Sequence, residues 1–370
     1  MAPILALILL SLSTAAPAFA ATKAPKTTSS APREVAVGVY INDIGTFDLS
    51  TGSFDADFYL WFRWQGNWTV GNDNSTVLSE VSTANVSPGD NEPSLAASAL
   101  PYNYEFMNSE SASRNLISAQ PHYNGTDYNF LEYRVMGTFH VPVKLDNYPL
   151  DEQTLAIEME DSFYPEPTVT YTPDSGSVLD PAITETGAIP GLRFVPGSFN
   201  VSAIAHTYNT AFGYQVIPGG NTTSVYSRFV AEFTISRPFA ASVTSLLLPV
   251  AIIVALAVIC FFIDSDKFEE RLALLVTAVL TAVLLQVDFA STVPSGGQFT
   301  LADRVMIVVY AVLAVAIVVA VLEKRISQAD HPKTIIWLDR LALIIIPIVT
   351  VVAIALLISP ACVGRECAPI

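Results

Sequence analysis

Four long apolar stretches near the C-terminus restrict the possible folds more than any other feature of this chain. They are Phe239–Ile263, Glu270–Val293, Leu301–Leu322 and Thr334–Ile358. A helix needs about 20 mostly apolar residues to cross a bilayer, and each stretch is that long. The sequence therefore predicts a four-helix transmembrane domain over residues 238–360.

The composition agrees with a membrane protein. Of the 370 residues, 51% are hydrophobic and only 14% are charged, whereas about a quarter of an average soluble domain is charged. This composition excludes a disordered chain and disfavours an entirely soluble one.

The first 20 residues predict a secretory signal peptide. A short apolar core, Ile4–Leu12, is followed by Ala18-Phe19-Ala20, a small-x-small pattern that favours cleavage after Ala20. The core is too short to cross a bilayer of about 30 Å. The N-terminus lacks the usual Lys or Arg, so an uncleaved anchor stays open as the alternative. Residues 21–34 are typical of a disordered leader.

An exported N-terminus fixes the expected orientation of the spans. It places the N-terminal domain and the C-terminal tail, residues 361–370, on the outer side of the membrane. Basic residues follow the positive-inside rule, because they concentrate at the predicted inner ends. The inner ends carry Lys267, Arg271, Lys324, Arg325, Lys333 and Arg340, against Arg304 and Arg365 at the outer ends. We therefore expect a multi-pass protein of the plasma (inner) membrane.

Residues 35–237 show the alternation of apolar and polar residues that is typical of β-strands, interrupted by Gly, Pro, Asn and Asp clusters. About 200 residues of this kind predict an all-β, immunoglobulin-like sandwich. Gly71–Leu100 and Pro173–Pro190 are expected to be long loops. The expected strands are Val35–Ile41, Phe54–Trp64, Tyr133–Val141, Gln153–Met159, Val201–Tyr208 and Tyr226–Ile235.

Charge and missing motifs exclude two functional classes. The net charge is −16, and residues 21–236, with 24 acidic and 9 basic side chains, carry −15 of it. Such a domain repels a phosphate backbone, so nucleic acid is not an expected partner. The chain has no Gly-x-Ser-x-Gly turn, phosphate-binding glycine loop or His-Glu-x-x-His, and its four His are scattered singly. We expect no catalysis, cofactor or metal site.

The three cysteines suggest packing and, at most, a local bridge. Cys260 lies in the first span, where we expect a small buried apolar side chain. Cys362 and Cys367 follow the last span on the oxidising side. A small disulfide loop between these two is possible, and the sequence leaves it open.

One motif in the N-terminal domain resembles a known family. Residues 148–153, YPLDEQ, are similar to the signature loop of the pentameric ligand-gated ion channels, the Cys-loop receptor superfamily. Val141 and Leu155 stand where animal receptors have the two loop cysteines, which resembles the bacterial members. Other landmarks at the family's spacing are Trp64, Arg237, Pro249 and Pro294. The resemblance covers Val35 to Ile358 and implies a homopentamer around a central pore.

The second span has a periodic face of its own. Its members alternate in steps of three and four, which keeps them on one side of a helix. They are Glu270, Ala273, Thr277, Leu280, Leu284, Val287 and Ser291. The residues alone fit a helix-packing seam capped by a surface Glu as well as a pore wall. The resemblance favours the pore wall, with a Glu270 ring at the inner mouth, a polar Thr277 ring above it and an apolar collar that gates by dewetting.

The resemblance also implies a ligand site between neighbouring sandwiches and a coupling region next to the membrane. One subunit would contribute Glu105, Glu160, Phe163, Tyr208 and Tyr226, and the next Tyr40 and Tyr59. Aromatic faces with carboxylates suit a cationic ligand, as in the amine-gated bacterial branch. The implied coupling residues are Asp48, Pro149, Asp151, Arg237 and Pro294, with Arg237 paired to Asp151 and Asp48.

Together these features predict a homopentameric cation channel in a lipid membrane, opened by a small amine and permeable to monovalent cations. Two alternatives remain open. One is a proton-gated channel of the same fold, in which the carboxylates are the sensors. The other is a non-conducting, membrane-anchored receptor.

Overall fold

The computed structural model describes the four apolar stretches and most of the N-terminal domain. The described residues are 33–65, 104–120, 123–162, 164–166, 168–185, 189–210, 212, 222–293, 299–327 and 332–359. Several predictions fall on residues outside these ranges, namely the signal peptide, nearly all of the leader, the loop Gly71–Leu100, Phe163, Pro294, and Cys362 with Cys367.

The described part of the N-terminal domain consists mainly of β-strands, with one short α-helix, α1 (Pro181–Thr184), and a 3₁₀ turn at Tyr123–Gly125. The strands are β1 (Arg33–Asp48), β2 (Ser53–Gln65), β3 (Tyr104–Phe106), β4 (Ser109–Gln120), β5 (Tyr128–His140), β6 (Glu152–Asp161), β7 (Val169–Pro173), β8 (Val178–Leu179), β9 (Arg193–Phe194), β10 (Asn200–Tyr208) and β11 (Ser224–Ser236). All six predicted strands are confirmed.

The strands form two sheets that enclose one hydrophobic core. Over the described residues, one sheet has the order β4–β5–β2–β1–β7, with β8 also beside β1, and the other has the order β10–β11–β6–β3, with β9 beside β11. β7 and β8 run parallel to β1, and the remaining pairs are antiparallel. The domain is therefore sandwich-like, as predicted.

Alternation along each strand explains which side chains fill the core. In β2, Phe58 and Phe62 are completely buried, while Asp57 and Tyr59, on either side of Phe58, project from the other face of the sheet. Because successive side chains of a strand point to opposite faces, one register buries the whole apolar set and exposes the whole polar set.

Four long helices follow β11. They are α2 (Phe239–Ile259), extended by a 3₁₀ turn at Cys260–Phe262, α3 (Phe268–Thr292), α4 (Leu301–Ser327) and α5 (Pro332–Ile358). Each contains a segment long and apolar enough to cross a membrane. The predicted spans are therefore confirmed to within a few residues, and the chain is a multi-pass membrane protein.

The sandwich contacts the helices through two of its turns. Leu49 of the β1–β2 turn and Leu145, Tyr148 and Leu150 of the loop before β6 belong to the same buried apolar cluster as the helices. The backbone N–H of Ala302, in the first turn of α4, donates to the carbonyl of Tyr148 at 3.0 Å. The two parts of the chain are therefore joined by packing as well as by the covalent link at Arg237.

Two parts of the sandwich differ from the sequence prediction. β4 lies at the edge of its sheet and buries only Leu116 and Ala119, so it lacks the apolar alternation that marks the other long strands. The expected loop Pro173–Pro190 contains β8 and α1. The Asp180 side chain accepts a hydrogen bond from the Ala182 N–H at 2.8 Å and so caps that helix.

We expect Gly52→Ala to destabilise the protein more than Gly125→Ala. Both glycines have a left-handed φ, +70° and +74°, which an L-residue adopts at a free-energy cost of about 1–2 kcal/mol. A Cβ on Gly52 would also lie 2.4 Å from the Val141 carbonyl oxygen, whereas a Cβ on Gly125 would meet nothing within 4 Å. Such overpacking adds about 1–3 kcal/mol.

The measurement is thermal unfolding of the full-length protein in detergent, followed by circular dichroism. The Gly125→Ala variant is the matched control, since it carries the same backbone strain without the clash. Equal melting temperatures for the two variants would show that the β1–β2 turn does not press against Val141.

Candidate functional site

All seven residues of the predicted α3 face are exposed, because no other helix among the described residues covers them. The three large apolar members are the clearest cases: Leu280 is 58% exposed, Leu284 62% and Val287 60%. Glu269, Val276, Val283 and Asp288 are exposed on the same side. At about 100° per residue, these positions form one continuous arc along the helix.

The opposite side of α3 packs against the rest of the bundle. Its buried residues are Arg271, Leu275, Ala278, Ala282 and Phe289. The rotation of α3 is therefore fixed, with the predicted face pointing away from the chain's own core.

Hydroxyl groups on α3 bond to their own helix and keep their oxygen lone pairs available. Thr277 Oγ1 donates to the Ala273 carbonyl at 2.8 Å, and Ser291 Oγ donates to the Asp288 carbonyl at 2.7 Å. A hydroxyl that donates its only proton still has acceptor capacity. The exposed arc therefore presents oxygen acceptors, which are suited to a cation.

The first turn of α3 is acidic and exposed. Glu269 and Glu270 both lie there, near the positive end of the helix dipole, which stabilises carboxylates. The Lys267 Nζ lies 3.9 Å from Glu270 Oε2, and both side chains are more than half exposed. Exposed pairs of this kind are weak, so Glu270 keeps most of its negative field.

A charged network lies on the outer face of the β10–β11–β6–β3 sheet. The register places Glu160 of β6 opposite both Arg228 of β11 and Glu105 of β3. Arg228 Nε donates to Glu160 Oε1 at 2.5 Å, and Arg228 Nη1 donates to Glu158 Oε2 at 2.5 Å. Tyr208 Oη donates to the second oxygen of Glu160 at 2.9 Å. Burial, and then this hydrogen bond, raise the pKa of Tyr208, which keeps it a donor at neutral pH.

These contacts change the role that the sequence suggests for Glu160. Its carboxylate is 2% exposed and both of its oxygens are already bound, so it is not open to a ligand. Glu105 is exposed, and within the described ranges its side chain makes no hydrogen bond or ion pair. Arg228 and Glu158 were not predicted. Two carboxylates spaced two apart on one strand are a weak signal, because they do not indicate which arginine lies opposite them.

Aromatic rings gather beside this network. Tyr208 lies 6.0 Å from Tyr226, 5.4 Å from Phe212 and 4.6 Å from His206, measured between ring centroids. The structure therefore brings together four of the predicted ligand residues, Glu105, Glu160, Tyr208 and Tyr226. Edge-to-face rings of this kind leave ring faces that attract cations.

Tyr40 and Tyr59 lie on the outer face of the other sheet, so one chain does not bring them to this cluster. Their centroids are 6.4 Å apart, and the Arg134 guanidinium lies over the Tyr59 ring at 5.9 Å. The hydrogen bond from Tyr40 to the Asp180 carboxylate, 2.5 Å long, raises the pKa of Tyr40. Arg134 binds Asp57 through two hydrogen bonds, which lower the pKa of that carboxyl.

The predicted pairing at the end of the sandwich is confirmed for Asp151 and not for Asp48. Arg237 Nε donates to Asp151 Oδ1 at 2.8 Å, and Asp151 is almost fully buried. Asp48 instead accepts hydrogen bonds from the Ser50 hydroxyl and backbone N–H, which lower its pKa. Asp48 is therefore bound within its own turn and does not pair with Arg237.

The signature loop continues this contact to the helices. The Arg237 guanidinium lies over the Tyr148 ring at 5.1 Å, and that ring meets Phe289 of α3 edge-on at 6.5 Å. Pro149 is buried between Tyr148 and Leu150. A continuous path of contacts therefore runs from the last residue of the sandwich to the back of α3.

No protein-family model matches the chain. Within the described ranges, no group of three or more His, Cys, Asp or Glu side chains is arranged to hold a metal ion. Cys260 is free and completely buried, as expected for a packing residue.

We expect Arg228→Gln to destabilise the protein by about 3–5 kcal/mol, because it leaves the buried Glu160 carboxylate without its counter-charge. The double variant Arg228→Gln/Glu160→Gln should recover most of that loss. Arg63→Gln is the matched control: Arg63 pairs with Asp174 at 3.1 Å but is 46% exposed, so its loss should cost less than about 1 kcal/mol.

Thermal unfolding of the detergent-solubilised protein measures all three variants. Equal losses for Arg228→Gln and Arg63→Gln would mean that the network on the β6–β11 face contributes no more than a surface pair.

Proposed function

We propose that this protein is a homopentameric, ligand-gated cation channel of the Cys-loop receptor type. The observation that carries the proposal is the uncovered arc of α3, which combines carboxylates and hydroxyls with large apolar side chains. Lipid offers no hydrogen-bond partner and makes charged groups costly. The arc is therefore better suited to water and to identical neighbours than to lipid.

Five copies of α3 around an axis would turn each exposed residue into a ring. Glu270 and Glu269 would form acidic rings at one mouth, and Thr277 would offer hydroxyl oxygens to a partly dehydrated cation. Leu280, Leu284 and Val287 would form an apolar constriction that blocks conduction when it is dry. This order of rings is that of a cation-selective gate.

A non-conducting anchor is disfavoured by the same helix. An anchor needs only apolar residues, but α3 is the least apolar of the four spans and exposes Glu270, Thr277 and Ser291. Nothing about anchoring requires carboxylates and hydroxyls on one uncovered arc.

We assign the ligand site to the aromatic and acidic cluster on the β6–β11 face, closed by Tyr40 and Tyr59 of the adjacent subunit. Arg228 neutralises one of three carboxylates there, Glu105, Glu158 and Glu160, so the cluster keeps a net negative charge. That charge and the rings of Tyr208 and Tyr226 suit a small amine, and we assign to Glu105 the role predicted for Glu160.

Proton gating is the second candidate, and one residue favours it. Burial raises the pKa of Glu132 on β5, which moves its titration toward neutral pH. A folded-state pKa that is raised means that Glu132 takes up its proton at a higher pH than an exposed carboxyl. Acid would therefore act on Glu132 before it acts on a carboxyl such as Asp57, whose pKa is lowered.

We expect propylamine or tetramethylammonium to open the channel at neutral pH in voltage-clamp recordings. Glu105→Gln should raise the half-maximal concentration about ten- to a hundredfold, because it removes a charge-assisted hydrogen bond of about 1.5–3 kcal/mol. Glu110→Gln, an exposed carboxylate on β4, is the control and should change nothing.

Other outcomes distinguish the alternatives. Currents evoked by acid without amine, and shifted by Glu132→Gln, would replace amine gating by proton gating. The absence of current with either amine or acid, with the protein present at the cell surface, would favour the non-conducting receptor.

We expect Leu280→Ser to favour the open state, because a hydroxyl in the constriction allows water to enter. Spontaneous current or a leftward shift of the activation curve is the expected readout. Val318→Thr on α4 is the control, since Val318 is 56% exposed, almost as much as Leu280 at 58%, but lies on another helix. An activation curve that Leu280→Ser leaves unchanged, with normal surface expression, would remove Leu280 from the gate.

A further inference from the structure

Arg271 occupies an unexpected position next to the acidic mouth. It follows Glu270 directly in α3, yet it is 1% exposed, while the Glu270 side chain is 61% exposed. Consecutive helix residues are rotated by about 100°, so the arginine points into the bundle and the glutamate points away from it. Counting charges along the sequence assigns both to the same inner end and does not reveal this separation.

Three elements hold the Arg271 guanidinium. Nη1 donates to Glu323 of α4, and Nη2 lies 3.0 Å from one carboxylate oxygen of Asp339 in α5 and donates to the other at 3.3 Å. Nε donates to the Ile263 carbonyl, in the turn before α3, at 2.7 Å. The Phe261 ring lies 5.9 Å from the guanidinium carbon.

The Arg271 cluster contains more acidic side chains than one arginine needs for a pair. Two carboxylates face one guanidinium, and Glu323 is completely buried. One of its oxygens, Oε1, has no hydrogen-bond partner among the described residues. A single carboxylate would already pair the arginine, so two acidic side chains, one from α4 and one from α5, hold one guanidinium at the base of α3.

We propose that Glu323 and Asp339 are positioning residues for ion selectivity, which act by holding the Arg271 guanidinium away from the inner mouth. This inference rests on the proposed channel function. If the two carboxylates were neutral, a buried unpaired guanidinium would be strongly unfavourable. Its long side chain could turn toward the nearby water of the mouth. There it would oppose Glu270 in each of the five subunits.

The test compares reversal potentials of full-length protein in planar bilayers under a sodium chloride gradient, with propylamine or an acid step as the stimulus. The wild type should reverse near the sodium equilibrium potential. Glu323→Gln/Asp339→Asn should lower the sodium-to-chloride permeability ratio about fivefold or more, the effect of about 1 kcal/mol per close charge pair in water.

A second variant separates selectivity from folding. Arg271→Gln/Glu323→Gln removes the guanidinium together with one partner, so it should keep the wild-type reversal potential. Asp264→Asn, an exposed carboxylate in the turn between α2 and α3, is the matched control and should also keep it. If the double carboxylate variant does not assemble, each single replacement, Glu323→Gln or Asp339→Asn, should give a smaller shift in the same direction.

The outcomes separate this inference from the channel proposal. A wild type without current, or with a current that reverses at the chloride equilibrium potential, overturns the proposed function and this inference with it. A cation-selective wild type whose assembled carboxylate variants keep the same reversal potential overturns the inference alone. The same holds if Arg271→Gln/Glu323→Gln shifts selectivity as far as the carboxylate variant does.

Discussion

Polar oxygen atoms on one side of a membrane-spanning helix impose the constraint on which the rest of this structure depends. Hydrocarbon offers no donor to the oxygen lone pairs of Thr277 and Ser291 and no partner to the Asp288 carboxylate, so that side of α3 favours water or protein. Its other side carries the small residues Ala278 and Ala282, which allow the close approach of neighbouring helices. Packing therefore fixes the rotation of α3 and leaves the exposed arc as the surface of this helix that is available for function.

The junction between the sandwich and the helices contacts α3 on its buried side. Tyr148 lies between the Arg237 guanidinium and Phe289, and Phe289 is on the buried side of the helix, opposite the exposed arc. In the proposed pentamer, movement of residues 148–153 would push on the buried side of α3. Its exposed side would remain free to contact the same helix of neighbouring subunits. In the proposed channel, the buried side of α3 would transmit this movement, while the exposed side would contact ions.

Periodicity explains what the sequence could predict. Strand alternation located six strands, and seven-residue spacing located the arc of α3, since both map sequence position directly onto a face. β4 was not predicted, because an edge strand buries few side chains and so shows little alternation of apolar and polar residues. The partners of Glu160 and Arg271 were not predicted because they are distant in sequence. Arg228 is 68 residues from Glu160, and Glu323 is 52 residues from Arg271. Register and helix packing, which no local pattern encodes, determine those pairs.

Arginines neutralise acidic groups on both sheets of the sandwich. Asp57 is bound by Arg134, Asp174 by Arg63 and Glu160 by Arg228, although the domain as a whole is strongly acidic. Carboxylates outside such pairs, Glu105 among them, remain accessible to cations from the solution. A proton and an ammonium group both act by neutralising a carboxylate, so they compete for the same unpaired groups.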